Sequence, residues 1–590
     1  MSREASRRPF VAAALAATVL ILSAYSNSFH NGFHFDEAYL IVNNLFIRDL
    51  ANIPRFFTDA RTFSTYLPNA NYRPLNAVTY AFDYWRAGGL NPVQFHVTQI
   101  VLLLATGTLL WLLYRHIFRD TGETRPAEGA ALFAAALFCI HTGNTQTVNY
   151  ISARSELLSG LGVLGGFIVY IQKPEWRRYY VYLIPPAVGA LAKTPAVMFA
   201  PLFLAYLLLI EQQLALAEIF SRRGWPQVRS VLFRSVPAFL MAVVMYKFVE
   251  GMNPPGQTYG GGSRMDYLAT ETWVWVRYVR LFFFPSGLSA DTDLKPFTSW
   301  LDARVFAGLV LLAVSVVCMW RASRSRELRP VAFGIAWFWI ALVPSSTIFP
   351  IGETTNDHRV FFPFMGFTAA IVWWAVVLFQ RAARKNASFR RAIGTFALPA
   401  CALILGIHAI ATYNRNRVWL NEETLWADVT IKSPRNGRGL MNYGLTQMRQ
   451  GRYTVARDYF TRAYVFNPNY PTLHVNLGIV TDAMGDTAAA EGWFLRALHL
   501  DPNYQAGHSF YARWLARHGR PKEAISHLER AVVLSPGDLE ARHALLELYA
   551  ATGDNAKLAS LVRDILALAP GDSVARAYAT RIPPQVNDTR

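Results

Sequence analysis

The chain is poor in charge. Asp, Glu, Lys and Arg make up 16% of its 590 residues, against about 25% in soluble domains. It is also poor in cysteine. Cys139, Cys318 and Cys401 each sit inside an apolar run, too sparse for a disulfide framework and uninformative about redox compartment. No G-x-x-x-x-G-K-[ST] loop and no H-E-x-x-H pair occurs, which removes support for an ATP motor and for that class of zinc protease. No zinc-type Cys/His spacing and no convincing ligand set for a divalent metal is found.

What the chain does have is apolar length. Hydrophobic residues reach 53%, and 590 residues exceed one ordinary domain. Apolar runs dominate up to about residue 412; from Tyr413 onward the chain is polar and amphipathic. The net charge of +18 is no argument for nucleic acid. The basic residues form short clusters beside apolar runs, as in membrane proteins that fix their orientation.

Backbone groups in lipid must bond internally, so each run reads as a helix. Eleven spans are expected, near 9–28, 95–115, 128–145, 156–172, 178–192, 194–211, 231–249, 304–321, 331–349, 360–380 and 392–412. The first, after the basic "MSREASRRPF", reads as an uncleaved span rather than a signal peptide. The two around "GALAKTPAV" are short and suit a broken pair. The clusters "YRHIFRD", "KPEWRRYY", "SRRGWPQVRS", "RASRSRELR" and "QRAARKNASFRR" then share the side of the N-terminus, which the positive-inside bias makes cytoplasmic. The segment 267–285 carries Glu271, Arg277 and Arg280 and would invert later clusters if it crossed. It reads as an interfacial or re-entrant helix. The first loop, 29–94, and the C-terminal part then face outward.

Pro434, Pro468, Pro502, Pro536 and Pro570 recur every 34 residues, the tetratricopeptide period. Gly444, Ala456, Phe460 and Ala463 fit the first repeat. Leu477, Gly478, Ala490, Phe494 and Ala497 fit the second, and Ala524, Leu528 and Ala531 the third. In the fourth, Leu558 and Ile565 replace small residues, as in a closing unit. Such an array offers a surface for protein or peptide; a rigid spacer or dimerisation element is the alternative.

Charged residues at the mouth of a membrane domain are expensive and suggest function. The candidates are Asp36, Glu37 and Arg73 in the first loop; His141, Gln146, Arg154 and Glu156 in "HTGNTQTVNYISARSELLSG"; Lys193; Asp291 and Asp293 in "LSADTD"; and Glu353, Asp357, His358 and Arg359 in "GETTNDHRVFFP". Each has a plainer reading: a solvated loop for Asp36 and Glu37, ion pairing or capping for Arg154 and Glu156, snorkelling for Lys193, and topology anchoring for His358 and Arg359. Together they suit one chemistry. A carboxylate removes a proton from an acceptor hydroxyl, while Arg, Lys and His hold a phosphate and neutralise its charge as it leaves.

At these residues the sequence resembles the GT-C class of membrane glycosyltransferases, and more closely the transmembrane and tetratricopeptide-repeat O-mannosyltransferase family and its bacterial relatives. The matching stretches are "FHFDEAYLIVNN", "NYRPLNAVTYAFDYWRAGGLNPVQFHVTQIVLL", "HTGNTQTVNYISARSELLSG", "LFFFPSGLSAD", "HRVFFPFMGF" and "RNRVWLNEETLWADVTIKSPRNGRGLMNYG", in order along nearly the whole chain. The resemblance implies a polyprenyl-phosphate sugar donor and inverting transfer to a hydroxyl, with Asp36 as base and Glu37 as its partner. Donor contacts fall to Arg73, His141, Arg154, Glu156, Lys193, Asp291, His358 and Arg359. Three departures stand out: Gln146 where the family often has an acid, Thr142 where it has proline, and Lys193-Thr194 where it has Lys-Glu.

The expectation is thus an all-α chain: a GT-C-like membrane domain at 1–412, a connecting helix at 413–436, repeats at 437–470, 471–504, 505–538 and 539–572, and a tail at 573–590. It would lie in a bacterial inner membrane, with a lipid-linked sugar as donor, a polypeptide or glycan as acceptor and a protein partner on the repeats. The rivals are a non-catalytic membrane-anchored repeat scaffold and a transporter or flippase. The scaffold does not need charged outer loops, and mid-span charges, which a transporter predicts, are scarce.

Overall fold

The computed structural model describes residues 3–66, 70–122, 124–254, 263–346 and 350–580. Regular structure among them is helical throughout, with no strand. The chain divides into two compact units, Met1–Asp428 and Val429–Arg590.

The longer helices of the first unit are α1 (Arg3–Ala24), α2 (Pro74–Ala87), α3 (Pro92–Arg119), α4 (Thr124–Ile140), α5 (Arg154–Gln172), α6 (Ile184–Ala190), α7 (Phe199–Tyr206), α8 (Trp225–Met252), α9 (Arg264–Phe283), α10 (Ala303–Ser323), α11 (Arg329–Leu342), α12 (Phe361–Lys385) and α13 (Ala387–Asn416). Eight helical stretches among the described residues are long and apolar enough to cross a membrane. They coincide with eight of the eleven expected spans. At 128–145, 178–192 and 331–349 the helices are shorter: Pro126–Ile140, Val181–Ala190 and Arg329–Leu342. Residues 347–349 lie outside the described set. The segment at 267–285 is the 20-residue α9, not among the eight.

Lipid explains the outer surface. Phe306, Val310, Val314 and Val317 on α10 and Leu403, Ile407 and Ile410 on α13 are exposed. Apolar surface on this scale is stable only against another apolar phase. Inside, close approach is made by small residues. A Cβ on Gly162 of α5 would meet the Pro185 carbonyl of α6 at 2.6 Å, so α6 lies directly on α5. The expected connecting helix at 413–436 is broken. α13 runs on to Asn416, a 3-10 turn follows at Arg417–Trp419, and a new helix spans Glu422–Lys432.

The second unit contains four helix pairs, Gly437–Arg449 with Tyr453–Phe466, Pro471–Ala483 with Thr487–Leu500, Gln505–Arg517 with Pro521–Leu534, and Leu539–Thr552 with Asn555–Leu568. Pro468, Pro502, Pro536 and Pro570 each stand two residues past the second helix of a pair, where the missing N–H stops the helix. Gly444 lies under the Phe460 ring and Gly478 under Phe494. Gly451, Gly485, Gly519 and Gly553 have φ between +74° and +92° and make the turns within the pairs. The expected tail opens with a short helix, Ser573–Ala579, and its residues 581–590 lie outside the described set.

Candidate functional site

The first loop is anchored by amides. Asn31 Nδ2 donates to Asn149 Oδ1 at 2.7 Å, and Asn149 Nδ2 donates to Asn416 Oδ1 at 2.7 Å. These bonds tie the loop to the segment before α5 and to the end of α13. His34 Nε2 lies 2.6 Å from the Trp419 carbonyl. Between these fixed points the chain turns at Phe35, whose φ of +51° is unusual for a residue with a side chain. Its ring sits edge-on to Trp426 at 4.9 Å and to Tyr150 at 5.6 Å. Packing of that ring stabilises the left-handed turn, and the turn presents Asp36.

Asp36 and Glu37 part ways from there. Glu37 is fully buried. Its Oε2 accepts from His34 N at 2.7 Å and its Oε1 from Ser152 N at 3.1 Å, so it clamps the loop to the approach to α5. Burial pushes its carboxyl up to about 8, against the pull of the N–H groups of His34, Ser152 and Ile151 and with a further push from Asp36. Asp36 is partly exposed, and the Tyr150 hydroxyl donates to its Oδ2 at 3.1 Å.

Tyr150 also leads to the basic residues. Its ring centroid lies 6.4 Å from that of His358. His358 N donates to Gln146 Oε1 at 2.9 Å, so the residue standing where the resembling family often has an acid orients the His358 backbone. The buried His358 Nδ1 has no hydrogen-bond partner among the described residues. Lys193, Arg359 and Arg73 all lie within electrostatic reach of His358. Lys193 immediately precedes the 3-10 turn Thr194–Met198 that follows α6, and it pairs with Glu156 of α5. Burial pushes the Lys193 ammonium down and Glu156 pulls it up, while Arg73 and Arg359 push it down. The carboxylate that Thr194 does not supply thus comes from α5. Arg73, Lys193, His358 and Arg359 are all partly exposed, as groups facing a ligand must be.

Three of the expected donor contacts are placed otherwise. Arg154 is fully buried and ion-paired to Asp83 at 2.6 Å. Its other donors go to Gln99 Oε1 at 3.0 Å, Thr79 Oγ1 at 3.1 Å and the Phe95 carbonyl at 2.9 Å. It braces α5 against α2 and α3. His141 is buried with both nitrogens engaged: Nδ1 accepts from Gly143 N at 3.1 Å and Nε2 donates to the Phe282 carbonyl at 2.9 Å. It packs between Phe282, Phe364 and His408. Asp291 is buried, and its Oδ1 accepts from Thr292 N at 2.8 Å. Its carbonyl accepts from Ser289 Oγ, and Ser289 N donates to Asp357 at 2.8 Å. Asp357 also pairs with Arg277 of α9 at 3.2 Å, which sets the turn that carries His358. Asp83 and Tyr150 were not among the sequence candidates, whereas Asp357 was; the structure uses it to hold the turn. A tyrosine inside a mixed segment reads as packing, and nothing local marks it as the link between acid and cations.

Among the described residues no three His, Cys, Asp or Glu side chains converge on a metal-sized point.

Tetratricopeptide repeat models match residues 423–474, 444–505 and 506–548. Over most of its length the chain is similar to proteins named protein O-mannosyl-transferase. It is 22% identical over 530 residues to Tmtc3 of Drosophila melanogaster, covering 79% of this chain and 56% of that protein. It is 23% identical over 504 residues to TMTC4 of Mus musculus, covering 77% and 66%. With TMTC1 of Homo sapiens the identity is 24% over 521 residues, covering 80% and 57%. The chain therefore spans between about half and two thirds of the length of these relatives. A solved tetratricopeptide-repeat protein of Thermus thermophilus is 22% identical with a TM-score of 0.25, covering 30% of this chain and 93% of that one.

Proposed function

We propose that the chain is an integral membrane glycosyltransferase that moves a sugar, mannose by analogy with the names of its relatives, from a polyprenyl-phosphate donor to a hydroxyl of a polypeptide. Asp36 takes the proton of the acceptor hydroxyl as its oxygen attacks the anomeric carbon. The bond from that carbon to the phosphate oxygen breaks on the opposite face, inverting the centre. The polyprenyl phosphate leaves with the electron pair, Arg73, Lys193 and Arg359 receive its charge, and the His358 imidazole offers it a hydrogen bond. Tyr150 holds Asp36 toward the acceptor, and Glu37 fixes the loop that carries it. The membrane keeps the prenyl tail in reach, and the repeats hold the acceptor or an accessory protein.

The observation that carries this reading is the juxtaposition of a partly exposed carboxylate, through Tyr150 and the His358 imidazole, with three partly exposed cations, Arg73, Lys193 and Arg359. An acid alone would serve many reactions. An acid bordered by positive charge suits one that takes up a proton and releases an anionic leaving group.

The test is transfer by the full chain, reconstituted in vesicles with a polyprenyl-phosphate sugar and a serine- and threonine-rich acceptor, read by mass spectrometry. Asp36→Asn is expected to abolish transfer with folding unchanged. Near-normal turnover of that variant removes Asp36 from the role of base. Absence of transfer by the parent chain with every lipid-linked sugar tried favours the non-catalytic scaffold.

A further inference from the structure

A second polar feature lies at the other end of α5. The cation cluster adjoins Glu156 near the start of that helix, and Tyr170 stands close to its last residue, Gln172. At about 1.5 Å per residue the two are separated by roughly 20 Å along the helix axis. Beyond α5 the chain winds through two 3-10 segments, Pro174–Tyr179 and Val181–Leu183, joined at Tyr180 with φ +56°. This turn, the end of α5 and helices α7 and α8 line an open cavity of about 390 Å³.

The lining is of two kinds. One part is basic: Arg177, Arg178 and Arg234. Arg234 is neutralised by Glu211, which also accepts from the Tyr170 hydroxyl at 2.9 Å. Arg177 is held in place without a carboxylate. Its Nε donates to the Tyr170 carbonyl at 2.8 Å and its guanidinium lies 3.9 Å over the Tyr170 ring. Arg178 is exposed and sits 4.5 Å over the Tyr179 ring. Among the described residues the contacts of Arg177 and Arg178 are to the Tyr170 carbonyl and to the Tyr170 and Tyr179 rings, with no ion pair to an acid. The other part of the lining is apolar: Phe203, Phe233 and Pro237. Phe233 is exposed on α8, whose Leu240, Val243 and Val244 are also exposed.

Two positive charges held at one edge of a cavity repel each other until an anion is present. Free phosphate would satisfy them without using the aromatic wall. An amphiphile uses both, with its anionic head on Arg177 and Arg178 and its chains along Phe233 and the apolar face of α8. We propose that this cavity binds the phosphodiester head group of an anionic membrane phospholipid, at the end of α5 opposite the acid–cation cluster. This inference rests on the membrane placement of the helices and is independent of the glycosyltransferase reading.

The experiment is native mass spectrometry of the full chain, purified in a neutral detergent and titrated with phosphatidylglycerol or phosphatidylcholine. The parent chain is expected to retain phosphatidylglycerol in preference to phosphatidylcholine. Arg178→Glu, at an exposed side chain that leaves the packing intact, is expected to weaken phosphatidylglycerol binding roughly tenfold or more. Phe233→Ala is expected to weaken it as well, because the chains lose their wall. Equal retention of the two lipids, or unchanged binding in Arg178→Glu, overturns the proposal. Displacement of phosphatidylglycerol by millimolar inorganic phosphate assigns the cavity to free phosphate and overturns the lipid assignment.

Discussion

The Tyr150 hydroxyl donates to Asp36 Oδ2 across 3.1 Å, and the same tyrosine ring faces His358 at 6.4 Å. One side chain therefore touches the acid of the first loop and borders His358, around which Arg73 of that loop and Lys193 and Arg359 of later segments gather. Its hydrogen bond to a carboxylate orients that carboxylate without neutralising it.

Tyr150→Phe removes this bond, and the hydroxyl's contact with Ser152, while keeping the ring. A hydrogen bond to a charged group is worth about 1.5–3 kcal/mol, so the maximal rate of transfer should fall roughly tenfold to a hundredfold. The Michaelis constant for the donor should change little. Steady-state kinetics against the lipid-linked donor check this, and an unchanged rate would show that Asp36 does not depend on Tyr150.

Lys193 pairs with Glu156 yet is partly exposed toward Arg73, Arg359 and His358. Lys193→Gln should raise the donor Michaelis constant by about tenfold or more, since one charged hydrogen bond to the phosphate is lost. Glu156→Gln should have a smaller effect on donor affinity, because the amine stays in place although it loses the carboxylate that favours its charge. The opposite order, measured side by side, would make the pair a strut between α5 and the turn after α6.

Arg154 predicts a different phenotype. It is fully buried and ion-paired to Asp83, and breaking one partner of such a pair costs about 3–5 kcal/mol. Arg154→Gln and Asp83→Asn should both lower the thermal midpoint strongly. The fraction that folds should bind donor normally. A folded Arg154→Gln chain with lost donor affinity would return Arg154 to the donor site.

Glu37 gives a pH signature. Its carboxyl is pushed up to about 8 by burial, above the ordinary value of about 4.3. Below that ordinary value it is protonated in both the folded and the unfolded chain. Between the two values the unfolded chain has released the proton and the folded chain still holds it. Its contribution to stability is therefore fully present at low pH and is lost as the pH rises toward 8. Glu37→Gln should flatten this decline, read as a smaller difference in thermal midpoint between pH 5 and pH 8 than the parent shows.

Much of this architecture is legible from neighbouring residues alone. Lipid selects long apolar helices, so hydropathy locates eight of them directly. It is less informative where helices are short. The "GALAKTPAV" region yields only Val181–Ala190 before the chain breaks at Lys193. The repeats are legible for a similar reason. A proline two residues past a helix and a glycine under a phenylalanine act within one helix pair, so the 34-residue spacing carries them.

The site is another matter. Nothing near Arg154 in the chain identifies Asp83, 71 residues earlier, as its partner, and nothing near Lys193 identifies Glu156. The sequence offered Arg154, His141 and Lys193 as equivalent candidates. The first two are enclosed and the third is partly open, because burial depends on which helix ends meet. Tyr150 could not be distinguished from a packing residue at all.

By itself, then, the sequence determined the helical class, the apolar spans, the repeat array and the set of residues able to do chemistry. These are properties of composition and period, and water and lipid act on them segment by segment. Only the tertiary structure decided which acid stays exposed, which cations gather beside it and which are used up as struts. Charges pair across distances that no local pattern records, and the close approach of α5 and α6 through Gly162 fixes where those distances close.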